Sequence, residues 1–234
     1  MKAIILGKSG TGKTSVQKCL SRAGFIPCVS HTTRPRRNKE VEGIDYFFVD
    51  DHSFRAAGDK MIVTEFFPAV GWYYGKLDKE IEKADIILTT PGELQRITDF
   101  LDSIDTAYQI FLLEAPDETR RMRSITRGDS ITEIERRIMA DNKDFEETEK
   151  RKDIVKIETS ENIERISAIV ASAFAVKCVK MRKNLMPGKF YQIEDLIIPE
   201  SWKDTGEISF TVINESNEAC SYPVRLFQIH EEIR

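Results

Sequence analysis

Eight residues near the amino terminus, Gly7-Lys8-Ser9-Gly10-Thr11-Gly12-Lys13-Thr14, have the types and spacing needed to hold a polyphosphate. The three glycines let the backbone curl so that successive N–H groups face an anion. Lys13 brings a mobile ammonium to the β- and γ-phosphates of a nucleoside triphosphate, and the Thr14 hydroxyl is placed to ligate Mg2+. Together with Ser15 these residues form a candidate ATP site. A second group is cationic and aromatic. Arg34 and Arg37 lie three apart in the basic run Ser30–Lys39, and guanidinium groups grip phosphate through paired N–H donors. Tyr46 and Tyr74 can add hydroxyl donors.

A phosphate-holding turn works only between a strand and a helix. Ala3-Ile4-Ile5-Leu6 reads as a short buried strand, and Val16, Cys19, Leu20 and Ala23 recur at helical spacing. That helix adds the positive end of its dipole to the anion site. Phe25–Val29 reads as a second strand, Ser30–Lys39 as an exposed basic loop, and Gly43–Val49 as a return to strand. Asp51–Gly58 suggests a short helix, Ile62–Phe67 a strand, and Gly71–Gly75 an aromatic turn.

Strands and helices then alternate. Ile86–Thr89 is an apolar strand, and Thr90-Pro91-Gly92-Glu93 starts a helix with a Thr cap, Pro at the first position and Glu three residues after the cap. Leu94, Ile97 and Leu101 give that helix its face. Tyr108–Leu113 is a buried strand. Two charged helical segments follow, Asp117–Thr126 and Ile131–Lys150, separated by Arg127-Gly128-Asp129. Asp153–Glu158 reads as the last core strand. Ile163, Ile166, Ile169, Val170, Ala173 and Phe174 mark a helix capped by Thr159 or Ser160. Such alternation implies an α/β fold with a parallel sheet flanked by helices, and ligands at the carboxyl ends of its strands.

The character changes near Met181. Asn184–Lys189 reads as a linker. Phe190–Ile198, Glu207–Ile213 and Tyr222–Ile229 read as strands, punctuated by Pro199, Asp204-Thr205-Gly206 and Asn214–Asn217. This small antiparallel appendage is too short to stand alone, so it should pack on the core or pair with a second subunit.

The chain has 234 residues and a net charge of −4, so nothing draws it as a whole to nucleic acid or an anionic membrane. No apolar stretch approaches the ~20 residues of a membrane span. Met1 leads almost directly into the first strand, which leaves no room for a signal peptide. Cys19, Cys28, Cys178 and Cys220 are scattered, as expected of buried free thiols in a cytoplasmic protein rather than of a zinc site.

Read with Glu65 and Tyr74, the stretch from Ser30 to Val49 resembles the guanylate kinase family. The motifs are Ser-x-Thr-Thr-Arg-x-x-Arg, then Glu40, Gly43, Asp45-Tyr46, then Glu65 before an aromatic, then Tyr73-Tyr74-Gly75. The resemblance covers roughly residues 1–176. It implies a P-loop NTPase fold whose domain spans residues 1–180. In it a core (1–29, 76–116 and 151–180) carries an inserted monophosphate-binding region (30–75) and a helical lid (117–150). Residues 181–234 form a β-rich extension that the family does not match. The resemblance further implies transfer of a phosphoryl group from ATP, with Mg2+, to GMP or dGMP. Ser30, Arg34, Arg37, Tyr46, Glu65 and Tyr74 would hold the acceptor, with the Glu65 carboxylate accepting from the N1–H and N2–H2 edge of guanine. Lys13, Arg37, Arg127 and Arg137 would be catalytic, with Arg123 a further lid cation.

Two departures bear on this reading. The family's Asp-x-Asp-x-Gln-Gly run after the central strand is replaced by Thr89-Thr90-Pro91-Gly92-Glu93-Leu94, and the small hydroxyl residue after Tyr74-Gly75 is replaced by Lys76. A shifted base preference, or a catalytically weak binding module, therefore stands beside the kinase reading. A sugar-phosphate kinase fits less well, because Glu65 and the tyrosines suit a purine nucleotide. A homodimer through the extension is open.

Overall fold

The computed structural model describes residues 1–38, 40–67, 71–160, 162–178, 184–197 and 208–229. The turns expected at Pro199 and Asp204-Thr205-Gly206, and the change of character at Met181, lie outside these residues. In chain order the elements begin with β1 (Lys2–Gly7), α1 (Lys13–Arg22), β2 (His31–Thr32), β3 (Phe47–Phe48), α2 (Asp51–Ala56), β4 (Met61–Phe67), β5 (Trp72–Leu77) and α3 (Asp78–Lys83). They continue with β6 (Ile86–Leu88), α4 (Pro91–Ser103), β7 (Tyr108–Glu114), α5 (Asp117–Arg127), α6 (Ile131–Asp144), β8 (Ile154–Glu158) and α7 (Ile163–Ala171). A C-terminal group follows: β9 (Ala175–Cys178), β10 (Phe190–Ile197), β11 (Ser209–Ile213), β12 (Ala219–Pro223) and β13 (Phe227–Gln228).

The central sheet runs β6-β1-β7-β8, and every pair in it is parallel. All six residues of β1 are buried, as a strand covered on both faces must be. Alternate residues serve opposite faces. Ala3 and Ile5 pack with Val16 and Leu20 of α1 and Ile166 and Val170 of α7. Ile4 and Leu6 pack with Leu94, Ile97 and Leu101 of α4. The helix start at Thr90-Pro91 is as expected, with Glu93 reaching back to the Thr90 N–H at 3.4 Å.

A second sheet, β3-β2-β5-β4, carries Glu65 on β4 and Tyr74 on β5. Its register sets Glu65 opposite Tyr74, Val63 opposite Lys76 and Thr32 opposite Tyr74. Side chains at i and i+2 share a face of a strand, so Glu65, Tyr74 and Lys76 line one side. Phe54 of α2 covers the other side, with its ring 5.4 Å from that of Tyr73. Gly75 sits where a Cβ would come within 2.9 Å of the Phe54 ring.

Several local expectations are corrected. Phe25–Val29 is not a strand. It runs beside β6 through a single bridge at Pro27, made by the Cys28 N–H to the Ile86 carbonyl at 2.7 Å and the Ile86 N–H to the Ile26 carbonyl at 3.1 Å. Gly71–Gly75 is not a turn, because Trp72 onward forms β5. Only Phe47–Phe48 of the stretch Gly43–Val49 is strand. The cap of α7 is Asn162, whose side chain accepts from the Arg165 N–H at 2.9 Å, rather than Thr159 or Ser160. The helical run from Ile131 ends at Asp144, followed by a 3₁₀ turn at Thr148–Lys150.

The C-terminal strands form one sheet, β12-β11-β10-β9-β13, antiparallel throughout. It takes in β9, a strand not anticipated from the sequence, and packs through β10 against α7. Phe210, Val212, Leu226 and Phe227 belong to the same hydrophobic cluster as Ala3 and Ile5. The ring of Phe25 lies 4.9 Å from Phe174 and 6.0 Å from Phe210. The extension thus packs on the core as a third layer. Because Phe210 is fully buried in a shared core, Phe210→Ala is expected to cost about 3–5 kcal/mol of global stability. Denaturant unfolding of the full chain should show one transition shifted by that amount; a separate early transition would mean that the extension unfolds alone.

Candidate functional site

The glycine-rich turn lies between β1 and α1, as its sequence requires. Gly10 has φ +82°, and a Cβ there would lie 2.8 Å from the Arg120 carbonyl. Gly12, at φ +97°, is the residue that opens α1. The Lys13 ammonium donates to the carbonyl of Gly7 and, at 3.2 Å, to that of Lys8. Burial pushes its pKa down to about 8, opposed by the Asp141 carboxylate and reinforced by the Arg120 and Arg127 cations. The Thr11 hydroxyl donates to the Lys8 carbonyl at 2.8 Å. Thr14 and Ser15 are exposed at the mouth of the loop.

Arg34, Tyr46, Glu65 and Tyr74 come together at the second sheet. The basic run places Arg34 on an exposed loop; in the structure its residue is only 4% exposed. Glu40 holds it through two hydrogen bonds, at 2.7 and 3.0 Å, and its Nε donates to the Tyr74 hydroxyl at 3.2 Å. Its guanidinium stands 5.4 Å from the centre of the Tyr46 ring, which packs edge-on to Tyr74 at 5.8 Å. Arg37 is exposed, and Glu40 accepts its backbone N–H at 2.8 Å. Ser30 is half-buried at the start of β2, where its carbonyl takes the Phe47 N–H at 2.9 Å. The Glu65 carboxyl is held above the usual carboxylate range by burial, with Glu93 adding to the shift and Lys76 opposing it.

Arg127 and Arg137 gather on one carboxylate. Arg127, at the end of α5, and Arg137, on α6, both bond Asp129, and Arg137 also bonds Glu133 at 2.6 Å. Gly128, at φ +93°, ends α5 and Ser130 caps α6. The Arg136 and Arg137 guanidiniums hold Glu133 down at about 2. Arg123 is engaged elsewhere: it bonds the Gly10 carbonyl at 3.2 Å and the Thr159 carbonyl at 2.6 Å, tying the loop to the end of β8.

The departure at Lys76 finds its partner at the other departure. Lys76 and Glu93 are both buried and bonded at 2.7 Å, and the Thr89 hydroxyl donates to the same Glu93 oxygen at 2.8 Å. The new ammonium is therefore neutralised by the glutamate of the helix cap. Thr89 and Glu93 are so occupied, and Thr14 keeps an exposed hydroxyl at the loop; a single hydroxyl of that type fits Mg2+, an ion that keeps several waters and takes its other ligands from phosphates.

Sequence reasoning missed Glu40, Glu93, Arg120 and Asp141 as partners of the site. Glu40 was within reach, six residues beyond Arg34 in a basic run. Nothing in the sequence pairs Asp141 with Ser9, 132 residues away.

A parallel sheet whose central strand runs through a glycine-rich turn into a helix is the architecture of the phosphate-loop proteins. The sequence profile of guanylate kinase matches residues 1–175, and this chain belongs to the guanylate kinase family. Guanylate kinase of Thermus thermophilus is 34% identical over 142 residues, which is 58% of this chain and 64% of that protein. The match thus spans less than two thirds of that relative's length. The Psychrobacter arcticus enzyme is 37% identical over 145 residues, covering 58% of this chain and 68% of its own. The crystal structure of guanylate kinase from Anaplasma phagocytophilum aligns with a TM-score of 0.48 and 21% identity, over 71% of this chain and 80% of that one.

Breaking the Lys76–Glu93 pair from one side leaves a buried charge unmatched. Lys76→Met is expected to lose about 3–5 kcal/mol of stability, and adding Glu93→Gln to it should recover most of that loss. Urea unfolding of the two variants checks this; equal losses would show that the pairing is energetically idle.

Proposed function

We propose that this protein transfers the γ-phosphoryl group of Mg·ATP to the phosphate of GMP or dGMP. The observation that carries the reading is the register of the second sheet. It sets Glu65 directly opposite Tyr74, whose hydroxyl meets Arg34 beside Tyr46. One face thus offers a carboxylate for a base edge next to cationic and phenolic donors for a phosphate. Guanine can give a carboxylate two donors, N1–H and N2–H2, and adenine cannot.

The donor triphosphate lies along the loop Gly7–Ser15, with its charge met by loop N–H groups, the α1 dipole and Lys13. Thr14 would hold Mg2+, which would supply neutralisation of phosphate charge. An oxygen of the acceptor phosphate forms the new bond to the γ-phosphorus as the bond to the β–γ bridging oxygen breaks, and ADP leaves with that electron pair. The acceptor oxygen is already anionic, so no general base is required. Lys13, Arg37, Arg127 and Arg137 meet the charge that develops on the transferring group. The two lid arginines exchange the Asp129 carboxylate for phosphate as the lid closes and excludes water. The purine-nucleotide role and a cytoplasmic site of action follow from the same reading.

A coupled assay of ADP release with Mg·ATP and a panel of monophosphates tests it. Turnover is expected with GMP or dGMP and with no other base. Lys13→Ala should abolish it, and Arg37→Ala should raise KM for GMP with KM for ATP little changed. Silence across the panel, with Mg·ATP still bound, would refute catalysis.

Glu65 supplies a pH test. Only its ionised form accepts both guanine donors, and its pKa is raised. Acceptor binding should therefore weaken on acidification starting above the usual glutamate range of ~4.3. KM for GMP is expected to climb on the acid side while KM for ATP stays flat, and Glu65→Gln should remove the climb. A parallel climb in both constants would assign the titration to another group.

A further inference from the structure

Arg120 has no role in the reading above, yet it is 1% exposed and heads the molecule's fully buried side chains. A buried guanidinium is tolerated only where its donors are met. Here Nε donates to the Ser9 carbonyl at 2.8 Å, Nη2 to Asp141 at 2.6 Å, and Nη1 to Asp117 at 2.7 Å and Asn142 at 3.3 Å. The same Asp141 oxygen accepts the Ser9 backbone N–H at 2.6 Å. The result is a closed ring. One loop residue has its N–H held by a carboxylate and its carbonyl held by a guanidinium, and those two groups hold each other.

The residues on either side are fixed from the same direction. Lys8 pairs with Glu149 at 2.6 Å. The Gly10 carbonyl takes a bond from Arg123 at 3.2 Å, and a Cβ on Gly10 would collide with the Arg120 backbone. So the first half of the loop, Lys8 to Gly10, takes its shape from α5, α6 and the turn after them as well as from its own glycines. A phosphate site gains affinity when its donors are oriented before the ligand arrives.

We propose that Arg120 and Asp141 are positioning residues for the donor nucleotide: their mutual pair locks the Ser9 peptide units and so presets the phosphate loop from the base of the lid. Neither side chain reaches the phosphates. The lid tip, with Arg127 and Arg137, moves about a base that is pinned to the loop. The proposal rests on the loop being the donor site, and its test is independent of phosphoryl transfer.

Equilibrium titration of the full-length protein with Mg·ATP and, separately, with GMP is the experiment. Asp141→Ala, which leaves both Ser9 N–H and Arg120 without the carboxylate, is expected to weaken Mg·ATP binding at least tenfold and GMP binding less than twofold. Asp141→Asn keeps an acceptor for Ser9 N–H and should recover part of the loss. Fraction of binding-competent protein, read from the same titration, separates misfolding from weakened affinity. Unchanged or tighter Mg·ATP binding in both variants would overturn the proposal and make Asp141 a plug that the nucleotide displaces. So would an equal loss for Mg·ATP and GMP. Wild-type protein that binds GMP but no Mg·ATP would remove the donor-site reading, and this one with it.

Discussion

A cation taken out of water must find an anion or a set of carbonyls, and much of this structure is arranged around that demand. Among the described residues four cations are buried: Lys2, Arg34, Lys76 and Arg120. Lys2 donates to the carbonyls of Glu82 and Ala84, at 2.7 and 2.5 Å. The other three each hold a carboxylate: Glu40, Glu93 and Asp141. Each of these three lies where an element bearing site residues meets the rest of the fold. Arg34 with Glu40 shapes the acceptor loop, Lys76 with Glu93 joins β5 to the start of α4, and Arg120 with Asp141 joins α5 and α6 to the phosphate loop.

These pairs divide the labour of the two ends of the site. Beside the second sheet, Glu40 holds the buried Arg34, whose Nε donates to the Tyr74 hydroxyl, while Arg37 stays exposed. At α5 and α6, Arg127 and Arg137 share Asp129 near the turn between the helices, and Arg120 is pinned to Asp141 beside the glycine-rich loop. Weak exposed pairs can exchange partners and buried ones cannot, because exposed ion pairs are worth little and buried ones are costly to open.

The C-terminal sheet answers a different constraint. The outer side of α7 and α1 is apolar enough to need a cover, and Phe210, Val212, Leu226 and Phe227 supply it from a separate stretch of chain. The Phe25 ring, at the entry to the acceptor region, is clasped by Phe174 and Phe210. The extension therefore braces the core that carries the loop, on the side away from α4.

What the sequence by itself determined was whatever depends on near neighbours. The strand, glycine turn and helix around Gly7–Thr14 could be read directly, because turn geometry, dipole and lysine all lie close together along the chain. The same is true of the Thr90–Glu93 helix start and the alternation that makes the central sheet parallel. Tertiary structure decided the rest. The apolar run Phe25–Val29 meets β6 through one bridge, at Pro27, and strand pairing drew Trp72–Gly75 out of an expected turn. Burial reversed the exposed reading of Arg34, and the Lys76 charge was cancelled from 17 residues away. Asp141 reached Ser9 across 132 residues. Local conformation is set by sterics and hydrogen bonds within a turn or two, whereas the partner of a buried charge is set by which surfaces the fold brings together.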